Sequence, residues 1–159
     1  MKETRFGLTS ADIVEQMRNI PAMSALGDRL IIEVVRMSRL RSYAADEVII
    51  EEGASDAWLY FLVLGELLVV HQGVAVTTFK NFGEMFGEMA LVDHSPRSAT
   101  VKAVGPAVCL ALDASHFDSL EPADKAALKS ALNEIICANL AARLREMDKR
   151  LAEVRPCPA

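Results

Sequence analysis

The sequence predicts an α+β domain: a β-roll, or jelly-roll barrel, of about eight short antiparallel strands, flanked by N-terminal helices and a long C-terminal helix. Three observations predict it. Apolar residues recur at helical spacing near both ends, the middle breaks into short β-branched or aromatic runs, and glycine-centred turns separate those runs at close intervals. With 159 residues and 52% hydrophobic content the chain supports one core. The segments 1–39 (helical), 40–113 (roll) and 114–155 (C-terminal helices) are therefore expected to form one domain.

The elements follow in order. In "LTSADIVEQMRNIPAM", Thr9 and Asp12 offer a capping pair and Pro21 a stop, which predicts a helix from Ser10 to Arg18. "ALGDRLIIEVVRMSRL" carries Leu30, Ile31, Val34, Val35 and Met37 as a second helical stripe. From Leu40 to Asp113 the runs "EVIIEEG", "WLYFLVLGELLVV", "VAVTTF", "SATVKAVG" and "AVCLALD" read as strands, with turns at Gly53, Gly65, Gly73 and Gly105–Pro106. "FKNFGEMFGEMALVDHSPRS" interrupts that rhythm with a short helix-like "EMAL", and function concentrates in such interruptions. "ASHFDSL" predicts a short helix, and Pro122 opens a long one reaching Glu153. Along it Leu132, Ile136, Leu140, Leu144, Met147 and Leu151 form one stripe, which fits either packing on the roll or a seam shared with a second chain.

Composition narrows the function. A net charge of -5 argues against a general polyanion binder, and Arg143, Arg145, Lys149 and Arg150 alternate with Glu146 and Asp148, so direct DNA binding is not expected. The longest apolar run, "AWLYFLVLGELLVV", is too short for a membrane span and contains Gly65 and Glu66; the first ten residues carry no secretory signal. A cytoplasmic, stand-alone protein is expected. Cys109, Cys137 and Cys157 have neither disulfide nor zinc spacing, and Cys109 and Cys137 are expected as small core residues. His71, His94 and His116 are isolated, with only His94 expected near a ligand edge, so no catalytic residue, metal or cofactor is expected.

The chemistry lies in "FGEMALVDHSPRSATV", residues 86–101. Gly87 lets backbone approach a ligand, and the turn that follows aims free N–H groups outward. Arg97, stiffened by Pro96, adds a permanent charge whose fork of donors matches phosphate oxygens. A carboxylate at Glu88 repels phosphate but accepts a hydrogen bond from a sugar hydroxyl, and is expected to orient Arg97 as well. Phosphate plus hydroxyl points to a nucleotide.

Phe86, Gly87, Glu88, the apolar turn Met89–Ala90–Leu91, the loop "VDHS" and then Pro96, Arg97, Ser98, Ala99 and Thr100 resemble the phosphate-binding cassette of the cyclic nucleotide-binding domain family. The resemblance spans residues 18–145. It implies a pocket in which Arg97 binds the cyclic phosphate, Glu88 takes the ribose 2′-hydroxyl, and the backbone of Gly87, Met89, Ala90, Ser98 and Ala99 completes the cradle. It also implies a lid from the last helix, within residues 139–147, with Arg143 or Leu144 nearest the base. Within the family, alanine at the position of Ser98 tends to accompany cyclic AMP and threonine cyclic GMP; the serine here favours cyclic AMP, with cyclic GMP the other candidate. The expected function is a non-enzymatic cyclic nucleotide receptor that signals to a protein effector by ligand-dependent helix repositioning, with a homodimer through the C-terminal helix. The alternative is an interaction module in which Glu88 and Arg97 only brace a loop and the C-terminal helix does the work.

Overall fold

A computed structural model describes residues 2–4, 10–20, 23, 24 and 26–154. Among them nine strands form two antiparallel sheets, five-stranded in the order β1-β2-β9-β4-β7 and four-stranded in the order β3-β8-β5-β6. The strands are β1 (Lys2–Thr4), β2 (Ser38–Tyr43), β3 (Val48–Ile50), β4 (Trp58–Leu64), β5 (Leu67–His71), β6 (Val74–Phe79), β7 (Met85–Phe86), β8 (Thr100–Ala103) and β9 (Ala107–Asp113). Helices α1 (Ser10–Arg18) and α2 (Asp28–Met37) precede the roll, α3 (Met89–Asp93) lies within the interrupting segment, and α4 (Pro122–Val154) closes the chain after a 3₁₀ turn over Ala114–Ser119. The expected β-roll with flanking helices is the fold observed. The capping residue Thr9 and the stop at Pro21 lie outside the described residues.

β4 shows why its sequence is apolar throughout instead of alternating. Leu59 and Phe61 face the core shared with the helices, while Tyr60 and Leu62 face the interior of the roll. Both faces of the strand are buried, so period-two selection for polar residues disappears. β9 divides in the same way, with Leu110 and Leu112 on the helix side and Cys109 and Ala111 inside. On the helix side Ile31 and Val34 of α2 share one core cluster with Leu128, Leu132 and Ile136 of α4, each such side chain contributing about 1.5–3 kcal/mol by leaving water. Gly65 turns β4 into β5 at φ +99°, where a Cβ would sit 2.6 Å from the Pro106 carbonyl oxygen.

One expectation needs correction. Cys109 is buried in the roll, but Cys137 is exposed, because it lies one position past Ile136 and therefore off the packed face of α4. The α4 stripe also divides. Leu132 and Ile136 are buried, whereas Leu144, Met147 and Leu151 are 58–60% exposed.

Candidate functional site

Strand pairing delivers the cassette to one end of the roll. β7 pairs with β4, placing Phe86 opposite Tyr60, and the Phe86 ring stacks between Tyr60 and Phe79 at centroid distances of 5.1 and 5.4 Å. The chain then reverses at Gly87, φ +84°, into α3. At the far end of the cassette, the Arg97 amide donates to the Ala54 carbonyl and its carbonyl accepts from the Gly53 amide, both at 2.8 Å, and Thr100 opens β8. Both ends of the cassette are thus pinned to the roll, and α3 is held between them. Its N-cap, Glu88, makes no capping hydrogen bond with its side chain, which leaves that carboxylate available elsewhere and the first amides of the turn without an intrahelical acceptor.

Arg97 is turned inward, its side chain 2% exposed. Nε donates to Asp56 Oδ2 at 3.2 Å, Nη2 to Asp56 Oδ1 and to the Trp58 carbonyl, and Nη1 to the Gly87 carbonyl at 2.7 Å. Burial alone would push the Asp56 carboxyl up, but the hydrogen bonds and charge of Arg97, the Trp58 amide and the charge of Arg41 outweigh it and hold the group below the usual carboxylate range. The guanidinium therefore braces the cassette against β4 through Asp56, and it also sits 2.8 Å from where a Cβ at Gly87 would fall.

Glu88 is buried as deeply, but its partners come from α4. Oε1 accepts from Arg143 Nη1 at 2.6 Å and from Asn139 Nδ2 at 3.3 Å. Both donors also reach the Met85 carbonyl, and the Arg143 guanidinium lies over the Phe79 ring at 4.9 Å. Oε2 is buried and meets no hydrogen-bond partner among the described residues. Burial raises the Glu88 carboxyl above its ordinary range, against the opposing charges of Arg143 and Arg97 and the Asn139 hydrogen bond.

All of the sequence-expected residues, Gly87, Glu88, Met89, Ala90, Arg97, Ser98 and Ala99, line one cavity of about 70 Å³ together with Arg143. The expected bond between Glu88 and Arg97 is not present; the structure has two separate ion pairs, Arg97–Asp56 and Glu88–Arg143, because each buried charge finds a closer partner on the element packed against it. Asn139 and Arg143 fall within the segment 139–147 that the resemblance implied as a lid, whereas Asp56, the partner of Arg97, was not singled out in the sequence. The signal for Asp56 is local, an Asp two positions before a strand whose Oδ1 caps the Trp58 amide at 3.0 Å. His94 does not approach this cavity. It lines a larger one of about 510 Å³ between α3 and α4, which contains neither Glu88 nor Arg97. It is His71 of β5 that reaches the cassette, with Nδ1 2.8 Å from the Ser98 carbonyl and 3.3 Å from Glu52 Oε1. Strand register put it there: β5 pairs with β8 so that Val70 faces Thr100.

Among the described residues no group of three or more His, Cys, Asp or Glu side chains is placed to hold a metal ion, and no helix is long and apolar enough to cross a membrane.

Comparison with known proteins agrees with this geometry. A cyclic nucleotide-gated potassium channel of Rhizobium etli is 37% identical over 101 residues, covering 64% of this chain and 28% of the channel. A cAMP-dependent protein kinase type II regulatory subunit of Drosophila melanogaster is 34% identical over 110 residues, covering 67% of this chain and 29% of that protein. The chain thus spans under a third of the length of these relatives. The crystal structure of a cyclic nucleotide-binding domain from Methylobacillus flagellatus superposes with a TM-score of 0.73 at 20% identity, covering 94% of this chain and 85% of that one, a likeness of fold. The sequence model of the family described as "Cyclic nucleotide-binding domain" matches residues 40–121, from within β2 to just before α4. With more than half of its length matched, cassette included, the chain belongs to the cyclic nucleotide-binding domain family.

Proposed function

We propose that the protein is a non-enzymatic receptor for a cyclic nucleotide, cyclic AMP in preference to cyclic GMP, and that it signals through α4. The observation that carries this reading is the orphaned Glu88 Oε2, a buried acceptor in the same cavity as Arg97. A buried carboxylate oxygen without a donor is costly, and a ribose hydroxyl is a neutral donor of the right size. The phosphate falls to the Arg97 side, near the uncapped amides at the start of α3. Arg97 already serves Asp56, Trp58 and Gly87, so its part is a fixed positive field with little reorganisation on binding.

Cyclic AMP is supported by Ser98. Its hydroxyl, 3.7 Å from the Met89 sulfur, is already turned toward α3. Helix repositioning is supported by volume. Small-molecule sites run to roughly 300–1,000 Å³, and about 70 Å³ is open here, so α4, which contributes Arg143 to the lining, must open for a nucleotide to enter before it closes on the bound ligand. We extend the reading to a homodimer through the outward face of α4, where Leu144, Met147, Leu151 and Val154 are 58–79% exposed, to an effector protein engaged by the repositioned helix, and to one domain over residues 1–155 in the cytoplasm, where the unpaired Cys109 and Cys137 suit a reducing compartment.

The same closed cavity favours a second reading, an interaction module whose two ion pairs only brace the cassette. Thermal unfolding separates the two. A receptor melts progressively higher with the logarithm of cyclic AMP concentration, by about 2.7 kcal/mol of added stability at a hundredfold excess over Kd, less with cyclic GMP and not at all with 5′-AMP. An unchanged melting temperature with every nucleotide overturns the receptor reading.

A further inference from the structure

The two buried charges of the cassette report to different parts of the molecule. The acceptors of Arg97 lie on the loop before β4, on β4 itself and on the cassette, and none is on α4. The partners of Glu88, Arg143 and Asn139, are both on α4. They lie four positions apart and so share one helix face, and both also hold the Met85 carbonyl. Glu88 Oε1 and the Met85 carbonyl together clamp α4 to the cassette. The outer contact of α4, from Arg150 Nη1 to the Val76 carbonyl at 3.2 Å, is exposed and does not involve the cassette.

From this division, and resting on the receptor reading above, we infer that the ribose 2′-hydroxyl is the part of the ligand that fixes α4, acting through Glu88 with Asn139 and Arg143 as positioning residues, while the phosphate is held by the roll alone. The carboxylate has two oxygens and the helix uses one. A hydroxyl donating to Oε2 satisfies the orphan without displacing Arg143 from Oε1. It also stops the carboxylate from turning, which firms the clamp on Oε1; the clamp in turn keeps Oε2 facing the ligand. Coupling of this kind is reciprocal. A nucleotide without the 2′-hydroxyl leaves Oε2 orphaned whenever α4 is closed, so it occupies the roll without favouring the closed helix.

The test uses the full chain, stripped of ligand, and two probes, cyclic AMP and 2′-deoxy cyclic AMP, each at saturation established by calorimetry. Hydrogen exchange is followed in the cassette (86–100) and in the outer part of α4 (139–150). Cyclic AMP is expected to slow both regions, 2′-deoxy cyclic AMP the cassette alone, with cyclic AMP about ten- to a hundredfold tighter. Arg143→Gln with cyclic AMP should reproduce the deoxy pattern and bring the affinity ratio toward one, and Arg143→Lys should restore part of both. Equal protection of α4 by the two nucleotides, or an unchanged affinity ratio in Arg143→Gln, overturns the inference while leaving the receptor intact. No protection of the cassette by either nucleotide overturns the receptor reading, and the inference with it.

Discussion

Replacing Gly87 with alanine isolates what the cassette demands of its first turn. At φ +84° any side chain is strained, and the added Cβ would lie 2.8 Å from Arg97 Nη1, 3.1 Å from the Trp58 carbonyl oxygen and 3.3 Å from Ile50 Cδ1. Gly53 provides the control, since its φ of +83° is nearly the same and nothing lies within 4 Å of its Cβ position. Left-handed backbone costs an ordinary residue about 1–2 kcal/mol, and this is all that Gly53→Ala should lose. In Gly87→Ala the guanidinium must also move, giving up at least one charge-assisted hydrogen bond worth about 1.5–3 kcal/mol, for a total of about 2.5–5 kcal/mol. Urea unfolding of the ligand-free proteins reads the difference as a shift of midpoint at constant m. Calorimetry should show weakened cyclic AMP binding in Gly87→Ala only. Equal losses of stability in the two variants would refute the claim that Arg97 is packed against the turn.

The two carboxylates should give opposite pH slopes in the ligand-free protein. The folded value of Glu88 is raised by burial, so its contribution to stability is greatest below the ordinary carboxylate range and is lost as pH rises through the raised value; Glu88→Gln should remove that falling limb. The folded value of Asp56 is net depressed by Arg97 against the pull of burial, so its contribution is present above the ordinary range and disappears as pH falls through the depressed value; Asp56→Asn should flatten the acid limb in chemical unfolding. Leu144→Glu with Met147→Glu should convert a dimer to a monomer by light scattering without changing the melting temperature at low concentration, because both side chains are about 60% exposed in the single chain. Under native conditions a thiol reagent should modify Cys137 and spare Cys109, whose thiol is pushed up to about 12 by burial, with peptide mapping as the readout.

The cassette was legible because its chemistry is contiguous. Gly87, Glu88 and Arg97 lie within one short segment, and glycine, carboxylate and guanidinium each have few reasons to recur at that spacing. Partners that arrive by strand register or helix packing left no such trace. Asp56 is 41 positions from Arg97 and Asn139 is 51 from Glu88. That distance is why Glu88 and Arg97 were expected to serve each other when each has its own partner. The strands with turn glycines on either side were visible, whereas β2, with Arg39 and Arg41 in alternation, and the two-residue β7 were not. Arg41 is buried nonetheless, its guanidinium 3.9 Å from the centre of the Trp58 ring and 3.2 Å from the Tyr60 hydroxyl. Periodicity located α4 well but not its division of labour, since a regular stripe does not say where the helix leaves the roll.

The most direct measurement is a calorimetric titration of cyclic AMP into ligand-stripped, refolded protein, with Glu88→Gln and Arg97→Lys beside the wild type. Lysine at 97 keeps a charge for Asp56 while losing the fork of donors, which makes it a fairer comparison than alanine. One site per chain is expected, with affinity lowered about tenfold or more in each variant and weaker binding of cyclic GMP. An absence of saturable heat in refolded wild type, or affinities indifferent to both substitutions, would contradict the receptor reading of this cassette.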